Sequence, residues 1–307
     1  MCLYPKLIRN RKYVVNDKNG GDVPVPIDSR VLFVPVGCGK CIECRRKKSR
    51  EWKVRLLEDI KVHKNAKFVT LTFSKDSINE LGSLFNSYGY DKDNDICTIA
   101  VRRFLEVWRK HNKKSVRHWL INEIGGNRYE GVHLHGLIWG DSDEIKKRWR
   151  YGFVFIGDKV NEGTINYISK YVTKIDKKHS EFVSKVFCSK GIGNGFFDRK
   201  DLDFFRKNDC YMLSNGSKIS LPIYYRNYLY NEDTREKLWV DLLNKNIRYV
   251  DKVKVDISNG LDDYYKILES SRKKNKRLGY GDDAKDWSKI KYENDRREMM
   301  NKAKGLV

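Results

Sequence analysis

The chain has 307 residues, 40% of them hydrophobic and 12% aromatic, which is enough apolar surface for one large core or two smaller ones. Lys and Arg number 63 against 41 Asp and Glu, a formal charge of +22 that favours a polyanionic partner, because each phosphate neutralised releases condensed counterions. No stretch approaches the roughly 20 apolar residues of a spanning helix, no apolar leader opens the chain, and Gly37-Cys-Gly-Lys40 lacks the spacing of a nucleotide-phosphate loop, so neither a membrane partner nor an ATP site is expected.

Residues 1–64 read as an irregular basic arm followed by a helix. Asn19-Gly-Gly21, Pro24, Pro26 and Pro35 interrupt regular structure in the arm. Cys38-Gly-Lys-Cys41-Ile-Glu-Cys44 comes next, then Arg45-Arg46-Lys47-Lys48. Trp52, Leu56, Leu57 and Ile60 predict a helix over about 49–64. Seven cysteines, three of them clustered, read as reduced thiols of a cytoplasmic protein rather than a secreted disulfide framework.

Residues 65–180 carry the clearest pattern. Lys67 to Phe73 is β-branched and aromatic, as a central strand is. Residues 74–97, with Gly82 and Gly89, read as a mobile insertion, and Thr98 as the cap of a helix whose apolar stripe is Val101, Phe104, Leu105 and Trp108. Val116–Ile124 and Val132–Trp139 flank the turn signal Gly125-Gly-Asn127 and predict an antiparallel hairpin. Ser142 is expected to cap a short helix, Phe153–Ile156 to form a fourth strand, and Thr164 to cap a further helix. The order β-α-β-β-α-β-α predicts an α+β fold, a ferredoxin- or RRM-like antiparallel sheet with helices on one face and the other free for a ligand. Residues 181–307 read as a mostly helical, basic extension, with a helix at 232–245 and a charged, solvated end from about Ser270.

The chemistry concentrates on two short segments. His133 and His135, two apart on a strand, project to one face and could share a metal ion. A third, harder ligand would suit Mg or Mn. Glu123, at the end of the strand expected to pair with the histidine strand, is favoured for it over Glu130, which is placed in the turn. Tyr167 and Tyr171 share a helix face, with Lys170 and Lys174 repeating that spacing beside them, while Ile168, Val172 and Ile175 can dock the helix. A lysine there could stabilise developing phosphate charge. Together these residues point to metal-assisted attack on phosphate by a tyrosine hydroxyl. Cys38, Cys41 and Cys44 are three ligands of an incomplete structural zinc site, with Cys2 the better fourth and His63 the weaker. Zinc there would set Arg45, Arg46, Lys47 and Lys48 against DNA.

His133-Leu-His135 resembles the histidine–hydrophobic–histidine motif of the HUH endonucleases, and Phe68-Val-Thr-Leu-Thr-Phe73 resembles their first strand. Tyr167-Ile-Ser-Lys-Tyr-Val-Thr-Lys174 resembles the two-tyrosine helix of their rolling-circle replication initiators. Met1-Cys-Leu-Tyr-Pro5 and the Cys38–Cys44 cluster are similar to the initiators of the gokushoviruses, single-stranded DNA phages of the microvirus group. The resemblance implies origin nicking through a 5′-phosphotyrosyl intermediate and later religation. Glu123, His133 and His135 would bind metal, and Tyr167, Tyr171 and Lys174 would be catalytic. It implies action in the cytoplasm of a bacterial host on a single-stranded origin, with a host helicase and replication polymerase. Related relaxases carry their nucleophile before the histidines, and single-strand transposases usually carry one tyrosine. A non-catalytic RRM-like binder is the alternative, with Phe68, Phe73 and Trp139 as stacking platforms.

Overall fold

The structure is a computed structural model that describes residues 2–125, 131–174, 178–179, 181–281 and 294. In the arm, β1 (Lys6–Arg9) pairs antiparallel with β2 (Phe33–Val36), a short sheet where irregular chain was expected. α1 (Ile42–Val62) starts within the cysteine cluster rather than after it. Its first turns hold Glu, Arg and Lys, good helix formers with no Gly or Pro among them. After β3 (Ala66–Leu71) come α2 (Lys75–Gly82) and α3 (Gly89–Asn112). Most of the presumed insertion is therefore helical. Ser74 caps α2, Leu81, Ile96 and Cys97 anchor the stretch in the core, and Thr98 lies inside α3, donating to the Asn94 carbonyl.

β4 (Arg117–Ile124) and β5 (Val132–Trp139) form the expected pair. α4 (Ser142–Arg148) is capped by Asp141 rather than Ser142, and β6 (Val154–Gly157) follows. α5 (Glu162–Lys170) begins with Asn161 and Thr164 capping each other reciprocally. The remaining elements are β7 (Val186–Cys188), α6 (Leu202–Asn208), β8 (Cys210–Met212), β9 (Lys218–Ser220), α7 (Ile223–Leu229), α8 (Glu232–Asn244), β10 (Ile247–Val250), β11 (Val253–Asp256) and α9 (Asp262–Arg277).

The chain groups into two compact units, Arg46–Tyr225 and Met1–Arg45 with Arg226–Val307. The changes of sequence character near residues 64 and 180 fall elsewhere. In the larger unit five strands form an antiparallel sheet, order β6-β3-β5-β4-β7, which is a ferredoxin-like four-stranded arrangement with β7 added at the edge. β5 is central, and its register sets His133 opposite Glu123 and His135 opposite Thr70. The strands meet so closely at Gly136 that a Cβ there would lie 2.0 Å from the Trp119 carbonyl oxygen.

Alternation decides which side chains go where. Val69, Leu71, Leu120, Leu134 and Ile138 face Phe104 and Trp108 of α3 and Ile145 of α4. On the other face, Trp119, Ile121, Leu137 and Trp139 pack with Leu56 and Leu57 of α1 and Ile165 and Ile168 of α5. Helices thus flank both faces of the sheet. Burying each large apolar side chain of the Trp119 row stabilises this packing by about 2 kcal/mol, whereas His133 on the same face stays half-buried. α1 also buries Glu58 and Asp59. Asp59 is held by Arg117 and the Gly193 N–H, and Glu58 by Lys61, Arg199 and Tyr211.

In the smaller unit, Leu3, Tyr4, Cys41, Ile42, Val250, Val255, Tyr264 and Leu268 make a separate core. The charged C-terminal stretch is helical through Arg277, because Tyr264, Leu268, Ser271 and Asn275 form a buried stripe at helical spacing.

Candidate active site

β4 and β5 deliver three ligand atoms to one spot. His135 Nε2 lies 3.3 Å and His133 Nε2 3.7 Å from Glu123 Oε2. One ligand atom from each of the three residues falls within 4.8 Å of the others. The outer ring nitrogens are engaged elsewhere. His133 Nδ1 is 3.2 Å from the Gly131 carbonyl, which can only accept, so Nδ1 carries a proton and Nε2 faces Glu123. His135 Nδ1 is 3.0 Å from Thr70 Oγ1, which can accept a proton in the same way. Such outer contacts orient histidine ligands. Thr70 was missed in the sequence, although its alternation on β3 places it on the histidine face.

Lys174 binds the other oxygen, Oε1, of Glu123. Burial alone would raise the Glu123 pKa, but hydrogen bonds with His133, His135 and Lys174 outweigh it and hold the carboxyl well below its usual range. Burial also keeps His135 below the ordinary histidine value, against the pull of Glu123. Glu123 is thus held as the carboxylate that a cation would require. Glu130, the other third-ligand choice, and Ile175 lie outside the described residues.

The tyrosines come to the same place from α5. The helix ends at Lys170, yet Tyr171 keeps α-helical dihedrals at the C-cap, so the four-residue spacing survives. The Tyr171 ring stacks on His135 with centroids 4.3 Å apart, and its hydroxyl donates to Tyr167 Oη at 2.5 Å. Tyr171 is buried, and Tyr167 is 51% exposed. Burial raises the Tyr171 pKa, and the contact with Tyr167 raises it further, which favours the protonated donor. Lys174 Nζ lies 5.5 Å from the Tyr171 ring centre.

An open groove beside Tyr167 is lined by Phe68, Phe155, Gly157, Lys159, Gly163 and Thr164. Phe155 was not singled out in the sequence, because an exposed aromatic on a short edge strand leaves no periodic signal. Of the other aromatics considered, Trp139 is buried with its Nε1–H on the His63 carbonyl, and Phe73 packs on Trp149. Both belong to the packed clusters of the sheet, Trp139 as a buried member and Phe73 as a partly buried one. Lys170, Lys47 and Lys48 are exposed. Arg45 is different: it is buried, and its Nε donates to the Lys40 carbonyl, which removes it from the expected DNA-contact set. The thiols of Cys38, Cys41 and Cys44 gather with Cys2, not with His63.

Among the described residues, no helix is long and apolar enough to cross a membrane. Residues 66–176 match the family model of the ORF2-type replication-associated proteins. The chain is 22% identical over 226 residues to the replication-associated protein ORF4 of Chlamydia phage 1, covering 64% of this chain and 53% of that protein. It is 26% identical over 248 residues to the replication-associated protein ORF2 of Spiroplasma virus 4, covering 70% and 69%. It thus spans about half the length of the first relative. A match to an isoleucine–tRNA ligase of Anaplasma marginale, 28% identical, spans 32% of this chain but only 9% of that enzyme. No solved structure matches the chain. These matches agree with the resemblance read from the motifs: the chain is similar to gokushovirus-type rolling-circle replication initiators.

Proposed function

We propose that this protein initiates rolling-circle replication by nicking single-stranded DNA at an origin. The reading rests on one convergence: two imidazole Nε2 atoms and a carboxylate share a spot beside two tyrosine hydroxyls that are hydrogen-bonded to each other. The donor set fits a divalent cation, with one hard oxygen, two imidazole nitrogens and both outer ring nitrogens occupied. Held by Glu123, His133 and His135, Mg or Mn would polarise the scissile phosphate.

One tyrosine oxygen attacks phosphorus. The Oη–P bond forms, the P–O3′ bond breaks, and the phenol's proton passes in net to the departing 3′ oxygen. The products are a 5′-phosphotyrosyl link and a free 3′-hydroxyl that primes synthesis by the host polymerase. The link conserves the phosphodiester energy, so religation needs no ATP. When synthesis regenerates the origin, the second tyrosine cuts the new junction and the displaced strand closes. Lys174, paired with Glu123, would stabilise charge on the phosphate, and Phe155, Tyr167 and Lys159 would offer stacking and charge to a single strand in the groove. A host helicase would supply strand separation, in the cytoplasm of the bacterial host.

The test is a covalent adduct. The protein, Mn and an origin oligonucleotide labelled on its 3′ side are resolved on a denaturing gel. An adduct that needs metal, survives in Tyr167→Phe or Tyr171→Phe and vanishes in the double variant is the expected result. Tight binding without metal and no adduct would favour the RRM-like binder instead.

A further inference from the structure

The smaller unit gathers segments from both ends of the described chain, and four thiols stand at its centre. The Sγ atoms of Cys2, Cys38, Cys41 and Cys44 all lie within 4.8 Å of one another, with Cys2 and Cys41 3.9 Å apart and Cys38 and Cys44 4.0 Å apart. Tetrahedral zinc with Zn–S bonds of about 2.3 Å sets its sulfurs about 3.8 Å apart. Backbone donors are aimed at the sulfurs. The Tyr4 and Cys38 N–H groups reach Cys2 Sγ at 3.3 and 3.2 Å, and the Cys41 N–H reaches Cys38 Sγ at 3.3 Å. Donors to sulfur favour thiolate over thiol. Between the ligands the backbone turns through Gly39 at a φ of +77°, and a Cβ on Gly37 would stand 3.0 Å from Cys44 Sγ.

The surroundings match the charge such a site would carry, because four thiolates around a divalent ion leave two negative charges. Arg45 is buried and Arg272 half-buried in the same unit. α9 closes over the cluster. Fully buried Asn275 accepts from the Ile42 N–H at 2.8 Å, Arg272 donates to the Leu3 carbonyl at 2.9 and 2.7 Å, and Tyr264 and Leu268 share a core with Cys41.

We propose that Cys2, Cys38, Cys41 and Cys44 bind one structural zinc ion, and that this ion joins the N-terminal arm to α9 as the keystone of the smaller unit. Four soft ligands complete a tetrahedral shell and leave no position for substrate, which marks the role as structural. The proposal does not rest on the nicking reading, because its readout is metal content and fold.

The experiment uses the full chain, purified without chelator. Elemental analysis is expected to find one zinc per chain that survives desalting, is lost in Cys41→Ser and Cys44→Ser, and is kept in His133→Ala/His135→Ala. Cobalt in place of zinc should give the thiolate-to-metal charge-transfer band of a tetrahedral sulfur site. That measurement is made on the native sequence and decides the matter even where a cysteine variant fails to fold. Stripping zinc with a mercurial should open residues 1–45 and 226–281 to protease before 46–225. A folded chain that holds no zinc and gives no cobalt–thiolate band overturns the proposal. So does metal that stays in the cysteine variants and leaves with the histidine pair.

Discussion

At one end of the sheet, Glu123, His133 and His135 present one oxygen and two nitrogens, with His133 20% exposed and two tyrosine rings alongside. In the smaller unit, Cys2, Cys38, Cys41 and Cys44 present four sulfurs within a core. The first set leaves most of a coordination sphere for other ligands, and the second leaves none. Hard oxygen and imidazole donors on a rigid strand pair suit a cation that must also meet a phosphate. Four thiolates suit an ion that holds chain together. On the two proposals above, ligand number and hardness would separate a place for chemistry from a place for structure within one protein.

The sharpest break would come from removing the open site alone. His133→Ala/His135→Ala is expected to lower the nicking rate by about 10³-fold or more, which corresponds to about 4 kcal/mol of lost transition-state stabilisation. Neither side chain belongs to the apolar clusters that hold the sheet to its helices, so the circular dichroism spectrum should stay that of the wild type. A double variant that nicks at the wild-type rate would remove the chemical role from this site. Chelation gives a second, milder contrast. EDTA should halt nicking within mixing, and added Mn should restore it, with no change in circular dichroism. An activity indifferent to EDTA would mean that the histidines serve packing instead.

Much of this contrast was legible in the sequence. The hairpin pairing followed from two apolar runs around Gly125-Gly126-Asn127 and put Glu123 at the end of the strand beside the histidine strand, and the register of the pair sets it opposite His133. The tyrosine spacing carried over although α5 ends at Lys170, because Tyr171 retains helical dihedrals beyond it. Cys2 was chosen as the fourth thiol over His63, and it is the thiol found in the cluster. What was hidden depends on long-range packing. Residues 74–97 read as a mobile insertion because their polar residues outnumber the few anchors, Leu81, Ile96 and Cys97, whose burial appears only once α3 meets the sheet. β7 has three residues, too few to show alternation. Arg45 read as a DNA contact because its neighbours are basic, and only the fold turns its guanidinium inward. The cover over the second sheet face was also hidden, since α1 and α5 reveal their partner only through the Trp119 row.

Lys174 makes the finest distinction, because it is the cation already sitting on the open site. The folded-state pKa of Glu123 is depressed, so its contribution to stability is complete above the unfolded value of about 4.5 and is lost as pH falls through the lower folded value. Lys174→Met removes one of the groups that depress it. The acid-unfolding midpoint of the EDTA-treated chain, followed by circular dichroism, should therefore move to higher pH. The Lys174 side chain is 56% exposed, so solvent screens the pair and the loss at neutral pH should stay within about 1 kcal/mol. The same substitution should leave the zinc content untouched, as the cysteine cluster has no part in this titration. If the midpoint does not move, Lys174 is a solvated lysine at its contact with Glu123, and the two histidines alone hold the carboxylate ionised.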